Sequence, residues 1–337
     1  MEETLTDLTW GVDQDRAFLL IKEQSDLFSQ GSGCCSVRTD AWQSVPPQPI
    51  SRKGYLPDSM SPTVVRQTGS LRNYYRDHDE WGRLVRDAYH ALEYETTLYY
   101  LQKYLPPRGR ILDAGGGPGR YTITLARKGY DVVLLDVVPE LLERAKKEIQ
   151  KARVTSRVKG ILEGSITDLP GFSDRSFDAV LCLGGPLGHL VRRHDRDRAL
   201  REMVRVAKKR APVFVSVIGR AGRLVNGTVF PRHDREVEIG VHRKVCRTGD
   251  YDGALGFAPC HFFWPEELQR ELESAGLHVL ESAGLEGIAS THKRELNAMT
   301  KARPRGYRAW KRFHLESCTH PTIVANSEHF LVVARRP

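Results

Sequence analysis

No stretch of this sequence approaches the roughly 18 consecutive apolar residues that a membrane-crossing helix needs. Its first residues, Met1-Glu-Glu-Thr-Leu-Thr-Asp7, are acidic and lack the basic start and apolar run of a secretory signal. These two absences predict a cytoplasmic protein without a membrane partner. Cysteine is sparse as well: the six residues at 34, 35, 182, 246, 260 and 318 form no CxxC pair. A disulfide framework is therefore not expected, and reduced thiols fit the cytoplasm. His242, Cys246, Cys260, His261, Cys318 and His320 match no zinc spacing, so no metal is predicted. Internal repeats are missing too.

The chain of 337 residues is 40% hydrophobic and 28% charged, an ordinary globular balance. Its net charge of +9 is uneven, because residues 1–70 hold 6 basic and 9 acidic side chains. The basic excess beyond residue 70 suits an anionic partner, but is also common on proteins that bind nothing acidic.

Residues 1–70 read as a poorly ordered extension. A short helical pattern, Phe18-Leu-Leu-Ile-Lys-Glu and Leu27-Phe28, gives way to Gly31-Ser-Gly and Pro46-Pro-Gln-Pro49. From Leu71 to about Tyr104 the pattern is helical and aromatic-rich, and Pro106-Pro107 stops it. An alternation of apolar strands and helices then sets in. Strands are predicted at 110–113, 131–136, 158–162, 177–183, 212–218, 278–281 and 329–334. Helices are expected at 121–128, 139–151, 197–209 and 265–275, with Pro139 and Pro265 at favoured first positions. Such alternation makes a doubly wound, mostly parallel, seven-stranded Rossmann-like sheet covered on both faces. The rhythm lapses over about 219–262 and 287–326, which read as irregular insertions in a domain spanning 108–337.

The most informative feature is a strand ending in Asp113, followed by Gly115, Gly117 and Gly119 and then a helix. Glycines there let the backbone turn sharply and approach a ligand, while helix N–H groups face it. The dinucleotide pattern G-x-G-x-x-G/A fails at Arg120, and no Gly-Lys-Ser/Thr of a phosphate loop follows. The observed spacing is D-x-G-x-G-x-G. Asp136 ends the next strand, where a carboxylate accepts both ribose hydroxyls of a nucleoside.

With these residues the sequence resembles the class I S-adenosylmethionine (SAM)-dependent methyltransferases, and most of all their UbiE-like type 11 branch. The resemblance covers about 70–337 and is strongest at 108–218. It implies SAM as cofactor, with S-adenosylhomocysteine as its product. It assigns Asp113, Gly115, Gly117 and Gly119 to the methionine moiety and Asp136 to the ribose. Where the family places an Asp on the adenine amine, this chain has Ser165, followed by Ile166. Ser165 can accept a hydrogen bond and Ile166 can pack on the adenine, whereas Asp168 does not align and reads equally as a turn residue or helix cap.

Leu183-Gly-Gly-Pro-Leu-Gly-His189 follows the fourth strand, and in methyltransferases this segment, from Leu183 on, lies beside the transferring methyl. It lacks the Asn/Asp-Pro-Pro-Tyr/Phe clamp of amino-methylating DNA enzymes. His189 is the leading candidate for a general base, unless it caps a helix or lies at the surface. His261 is a weaker one. Tyr74 and Tyr75 sit where related enzymes place a lid (here residues 71–107), and the Tyr75 ring can attract a sulfonium, although ordinary helix packing explains both tyrosines as well.

The expected activity is methyl transfer to a small-molecule acceptor, with the two insertions shaping its pocket. Two basic clusters keep an RNA acceptor in view. One is Arg192 to Arg210, and the other, at 291–314, is interleaved with Tyr307, Trp310 and Phe313. A non-catalytic cofactor-binding or scaffold protein is the third reading.

Overall fold

The computed structural model describes residues 62–337 apart from residue 170 and residues 229–235. The extension read over residues 1–70, with its Phe18–Phe28 pattern, Cys34 and Cys35, lies outside the described residues up to position 61.

Three helices come first: α1 (Pro62–Arg76), α2 (Glu80–Arg83) and α3 (Ala88–Tyr104). The single helical stretch expected here is thus broken twice, and each break has a local cause. Asp79 accepts from the backbone N–H of Gly82 at 3.1 Å, and Asp87 from that of His90 at 3.1 Å. Each aspartate so starts a new helix by satisfying an otherwise orphaned N–H.

The alternating core follows as β1 (Arg110–Ala114), α4 (Arg120–Arg127), β2 (Asp131–Asp136), α5 (Pro139–Lys151), β3 (Val158–Glu163), β4 (Ala179–Cys182), α6 (Arg193–Val206) and β5 (Pro212–Ile218). The first insertion holds α7 (Arg220–Thr228), α8 (Glu236–Thr248), β6 (Asp250–Tyr251) and β7 (Cys260–His261). Then come α9 (Pro265–Ser274) and β8 (His278–Gly284). The second insertion holds α10 (Lys293–Ala302), α11 (Pro304–Ser317) and α12 (Pro321–Asn326), before β9 (His329–Arg335) closes the sheet.

Seven strands form one sheet in the order β3-β2-β1-β4-β5-β9-β8. The first five run parallel, and β9 is antiparallel to both β5 and β8. Ile111, Leu112, Val132, Leu134, Val180 and Val213 are fully buried, as expected of strands covered on both faces. Between β1 and β4 the strand order reverses direction. Doubly wound sheets bind ligands outside the carboxyl ends of the strands at such a switch point. On one face, α6 and α9 are joined by the buried pair Arg196–Glu271, Nη2 to Oε1 2.9 Å.

Both insertions are more regular than the sequence pattern suggests. Among the described residues, 219–262 carry two α-helices and a two-stranded sheet, and 287–326 carry a 3₁₀ turn and three α-helices. Their helices offer few apolar positions, and those pack on residues outside the helix itself, across a turn in the first insertion and across the chain in the second. Val245 clusters with Tyr251, Cys260 and Phe262, whereas Leu296 clusters with Tyr89, Leu92 and Ala289. A local periodicity cannot reveal such satellite clusters. Among the described residues, no helix is long and apolar enough to cross a membrane.

Candidate active site

The glycine loop leaves β1 at Ala114 and enters α4 at Arg120. Gly115, Gly117 and Gly119 all have left-handed backbones, with φ of +79°, +53° and +82°. A side chain at Gly115 would be strained twice, because a Cβ there would also stand 2.5 Å from Pro186. Gly117 is different. An added Cβ would meet Leu141 only at 3.6 Å and Asp136 at 4.0 Å, so it would intrude on open space rather than on protein.

That open space is a cleft of about 1070 Å³, counting its mouth, at the carboxyl ends of the strands. It brings together Tyr75, Gly115, Gly117, Asp136, Ser165, Ile166, Leu183 and His189. Asp113 and Gly119 stand behind it. Asp113 is fully buried, with Oδ2 accepting from the Thr122 hydroxyl at 2.6 Å while Oδ1 has no hydrogen-bond partner among the described residues. Gly119 serves as the N-cap of α4.

Asp136 forms part of the cleft wall. Its Oδ2 accepts from the Gly117 N–H at 2.8 Å and its Oδ1 from the Val138 N–H at 2.9 Å. Burial raises its pKa to about 6 in spite of these donors, and burial does the same to Asp113. Asp136 has no salt-bridge partner among the described residues, and each of its oxygens keeps a further lone pair for a hydroxyl donor. The buried carboxylate and the unfilled cradle at Gly117 suit a nucleoside with a methionine-like tail. Ser165 Oγ is 2.8 Å from the Thr167 hydroxyl and also accepts from the Thr167 N–H. Asp168 pairs with Arg198 instead, outside the cleft.

His189 ends a 3₁₀ turn, Pro186–His189, and is only 7% exposed, so it neither caps α6 nor lies at the surface. Its Nδ1 is 2.9 Å from the Pro259 carbonyl and its Nε2 is 2.7 Å from the Tyr75 hydroxyl. A carbonyl only accepts, so Nδ1 carries the hydrogen and Nε2 accepts from Tyr75. Burial lowers the imidazole pKa and raises that of Tyr75, leaving both groups neutral. His261 lines neither this cleft nor its neighbour. Asp250 and Glu267 hold it at 2.6 and 2.9 Å, a structural role.

A second, wider cavity shares Tyr75, Glu80, Arg83, Gly184 and His189 with the first. Tyr74, Phe257 and Phe262 form an aromatic side of it, with Tyr74 edge-on to Phe257 at 5.2 Å. The opposite side is ionic. Arg83 donates to Glu80 at 2.6 Å and to both oxygens of Glu93, and His329 Nδ1 lies 2.6 Å from Glu286 Oε1. Glu328 accepts from the Tyr89 hydroxyl. Burial alone would lower the His329 pKa, but Glu93 and Glu286 prevail and raise it to about 10. Glu93, Glu286 and His329 each place one ligand atom within 4.8 Å of the others. Arg83 and the imidazolium already neutralise those carboxylates, so the cluster is satisfied without a metal. No motif announces this network, because its members come from residues 83–93, 286 and 328–329.

The model of a methyltransferase domain family matches residues 111–210. A glycine/sarcosine N-methyltransferase of Parasynechococcus marenigrum is 32% identical over 152 residues, covering 44% of this chain and 52% of that protein. The tRNA 5-carboxymethoxyuridine methyltransferase of Escherichia coli K12 is 22% identical over 234 residues, 69% of this chain and 82% of that one. The chain spans about half the length of the first curated relatives it matches. Among solved structures, the PH0226 protein of Pyrococcus horikoshii shares the fold, with a TM-score of 0.51 at 16% identity over 79% of this chain and 99% of that chain.

Proposed function

We propose that the chain is a class I SAM-dependent methyltransferase and that it transfers the methyl group of SAM to a small-molecule acceptor in the second cavity. The observation that carries this reading is the shared wall: the cleft that suits the nucleoside opens toward a second space past Tyr75, Gly184 and His189. SAM, when bound, supplies a methyl group activated on a sulfonium.

The chain's own residues position the reactants. Gly115 and Gly117 let the loop approach the methionine moiety, with Asp113 and Gly119 supporting the loop from behind. Asp136 takes the ribose hydroxyls, and Ile166, beside Ser165, packs on the adenine. Leu183 borders the methyl. Holding donor and acceptor in line supplies much of the acceleration in such displacements.

One observation favours a second reading, an RNA acceptor. The two basic clusters differ in how their charges are used. In α6, Arg193, Arg196, Arg198 and Arg205 all pair with carboxylates. By contrast, Arg294, Lys301, Arg303, Arg305, Arg308 and Arg312 are exposed and enter no ion pair within 4.0 Å among the described residues. Arg305, Arg308 and Arg312 share one face of α11, opposite buried His314. Tyr307 and Trp310 pack inward and so do not join that face. Methyl-labelled SAM incubated with the protein and a cell extract distinguishes the readings. Label in small molecules supports the first, label in RNA the second, and label in neither contradicts both.

A further inference from the structure

Tyr75 and His189 stand on the wall common to the two cavities, so a methyl group crossing from one to the other passes beside them. Three separate segments meet there: α1 brings Tyr75, the turn after β4 brings His189, and the first insertion brings Pro259. The approach of the turn to the insertion is close. A Cβ at Gly188 would lie 3.1 Å from both Cys260 Sγ and the His261 carbonyl oxygen.

This arrangement occupies both imidazole nitrogens. Nδ1–H donates to the Pro259 carbonyl and Nε2 accepts the Tyr75 O–H. An acceptor therefore meets the phenol oxygen before it meets the imidazole. Among the described residues, Tyr75 Oη makes no other side-chain hydrogen bond, and its lone pairs are available to an incoming hydroxyl. The other ionisable groups nearby do not compete. Glu80 and Arg83 are tied to each other, while burial keeps Tyr74 and Cys260 protonated.

Resting on the methyltransferase reading, we infer that the acceptor is a phenolic hydroxyl compound whose proton leaves through Tyr75 to His189. A neutral amine attacks with a free lone pair and can lose its proton to water afterwards. A hydroxyl is a poor nucleophile until its proton goes, which is what a prearranged base achieves. The aromatic side formed by Tyr74, Phe257 and Phe262 suits a planar ring beside that hydroxyl.

In the step, Tyr75 Oη takes the hydroxyl proton and passes its own proton to His189 Nε2. The acceptor oxygen forms its bond to the methyl carbon as the S–CH₃ bond breaks, and sulfur keeps that electron pair. The products are a methyl ether, S-adenosylhomocysteine and an imidazolium that later releases its proton to solvent. His189 is the terminal base, and Tyr75 is the group that touches the acceptor.

Nitrogen-15 NMR of the whole protein with labelled histidine tests the relay without turnover. His189 is expected as the neutral Nδ1–H tautomer. Tyr75→Phe removes the donor that favours the neutral ring, so the protonation midpoint of His189 should rise. Because Phe keeps the ring, S-adenosylhomocysteine affinity should stay within about twofold, below 0.5 kcal/mol. With labelled SAM and a panel of phenols, secondary amines and thiols, phenols should be methylated. Tyr75→Phe and His189→Gln should each slow that reaction by roughly 10²- to 10⁴-fold. An Nε2–H tautomer, or a midpoint unmoved by Tyr75→Phe, overturns the relay. Transfer to amines alone, or to no phenol by protein that binds S-adenosylhomocysteine, overturns the acceptor class. Failure to bind S-adenosylhomocysteine at all defeats the underlying methyltransferase reading instead.

Discussion

The cleft proposed for the cofactor is walled mainly by backbone and apolar side chains around the buried carboxylate of Asp136, with Glu80 and Arg83 shared with the second cavity. The second cavity is walled on one side by Glu93, Glu286, Glu328, Arg83 and His329, drawn from distant segments. The first space derives its shape from three consecutive strand ends and a glycine loop, so its chemistry is that of the fold. The second derives its chemistry from the N-terminal helices and the residues around β9, with Phe257 and Phe262 added by the first insertion. Such a division lets one scaffold keep its cofactor while its acceptor changes.

The sharpest way to break the comparison is Gly115→Ala. Its positive φ and the contact with Pro186 make any side chain there costly, about 1–3 kcal/mol for the backbone alone. Calorimetry should show S-adenosylhomocysteine affinity reduced on the order of a hundredfold, about 2.7 kcal/mol. Next is Asp136→Ala, which should weaken the same ligand at least about tenfold, 1.4 kcal/mol or more. Unchanged affinity in the folded variant would mean that the ribose is held elsewhere.

A pH series gives a smaller effect with a definite sign. Asp136 has its pKa raised to about 6, so its carboxylate is lost as pH falls through that value, and affinity should fall with it. Asp136→Asn should flatten this dependence. For stability the sign is opposite. Neutral Asp113 and Asp136 suit the buried sites, so both acids favour the folded state more as pH drops from about 6 toward their unfolded value.

The second cavity should respond on the alkaline side instead. His329 is held charged up to about 10, so its contribution to stability is complete below its unfolded pKa and fades as pH rises through the folded one. Thermal melts from pH 7 to 10.5 should show this decline, and His329→Gln should lack it. The same variant should alter S-adenosylhomocysteine affinity the least, by no more than about twofold. A large loss would show that the two spaces are not separable.

How legible each region is in the sequence follows from the same contrast. The loop from Asp113 to Gly119 and the strand end at Asp136 could be read because they are local: a strand period, a glycine spacing and a carboxylate at a fixed distance. His189 could be placed near the sheet edge, but its tautomer depends on Pro259, seventy residues further on, and on Tyr75, from a different helix. Arg83 and Glu93 left no trace, since a charged residue on a helix reads as solvent-facing until the partner that buries it is known, and His329 read only as the start of the last strand. The breaks in the N-terminal helix were visible only as Asp79 and Asp87, ordinary residues until their caps are seen.

The central claim is that the cleft beside Asp136 holds the SAM nucleoside, and calorimetric titration with S-adenosylhomocysteine, with NAD as control, tests it most directly. Micromolar binding of S-adenosylhomocysteine, about −8 kcal/mol, is expected, and none of NAD. Binding of NAD, or of neither ligand, would contradict it.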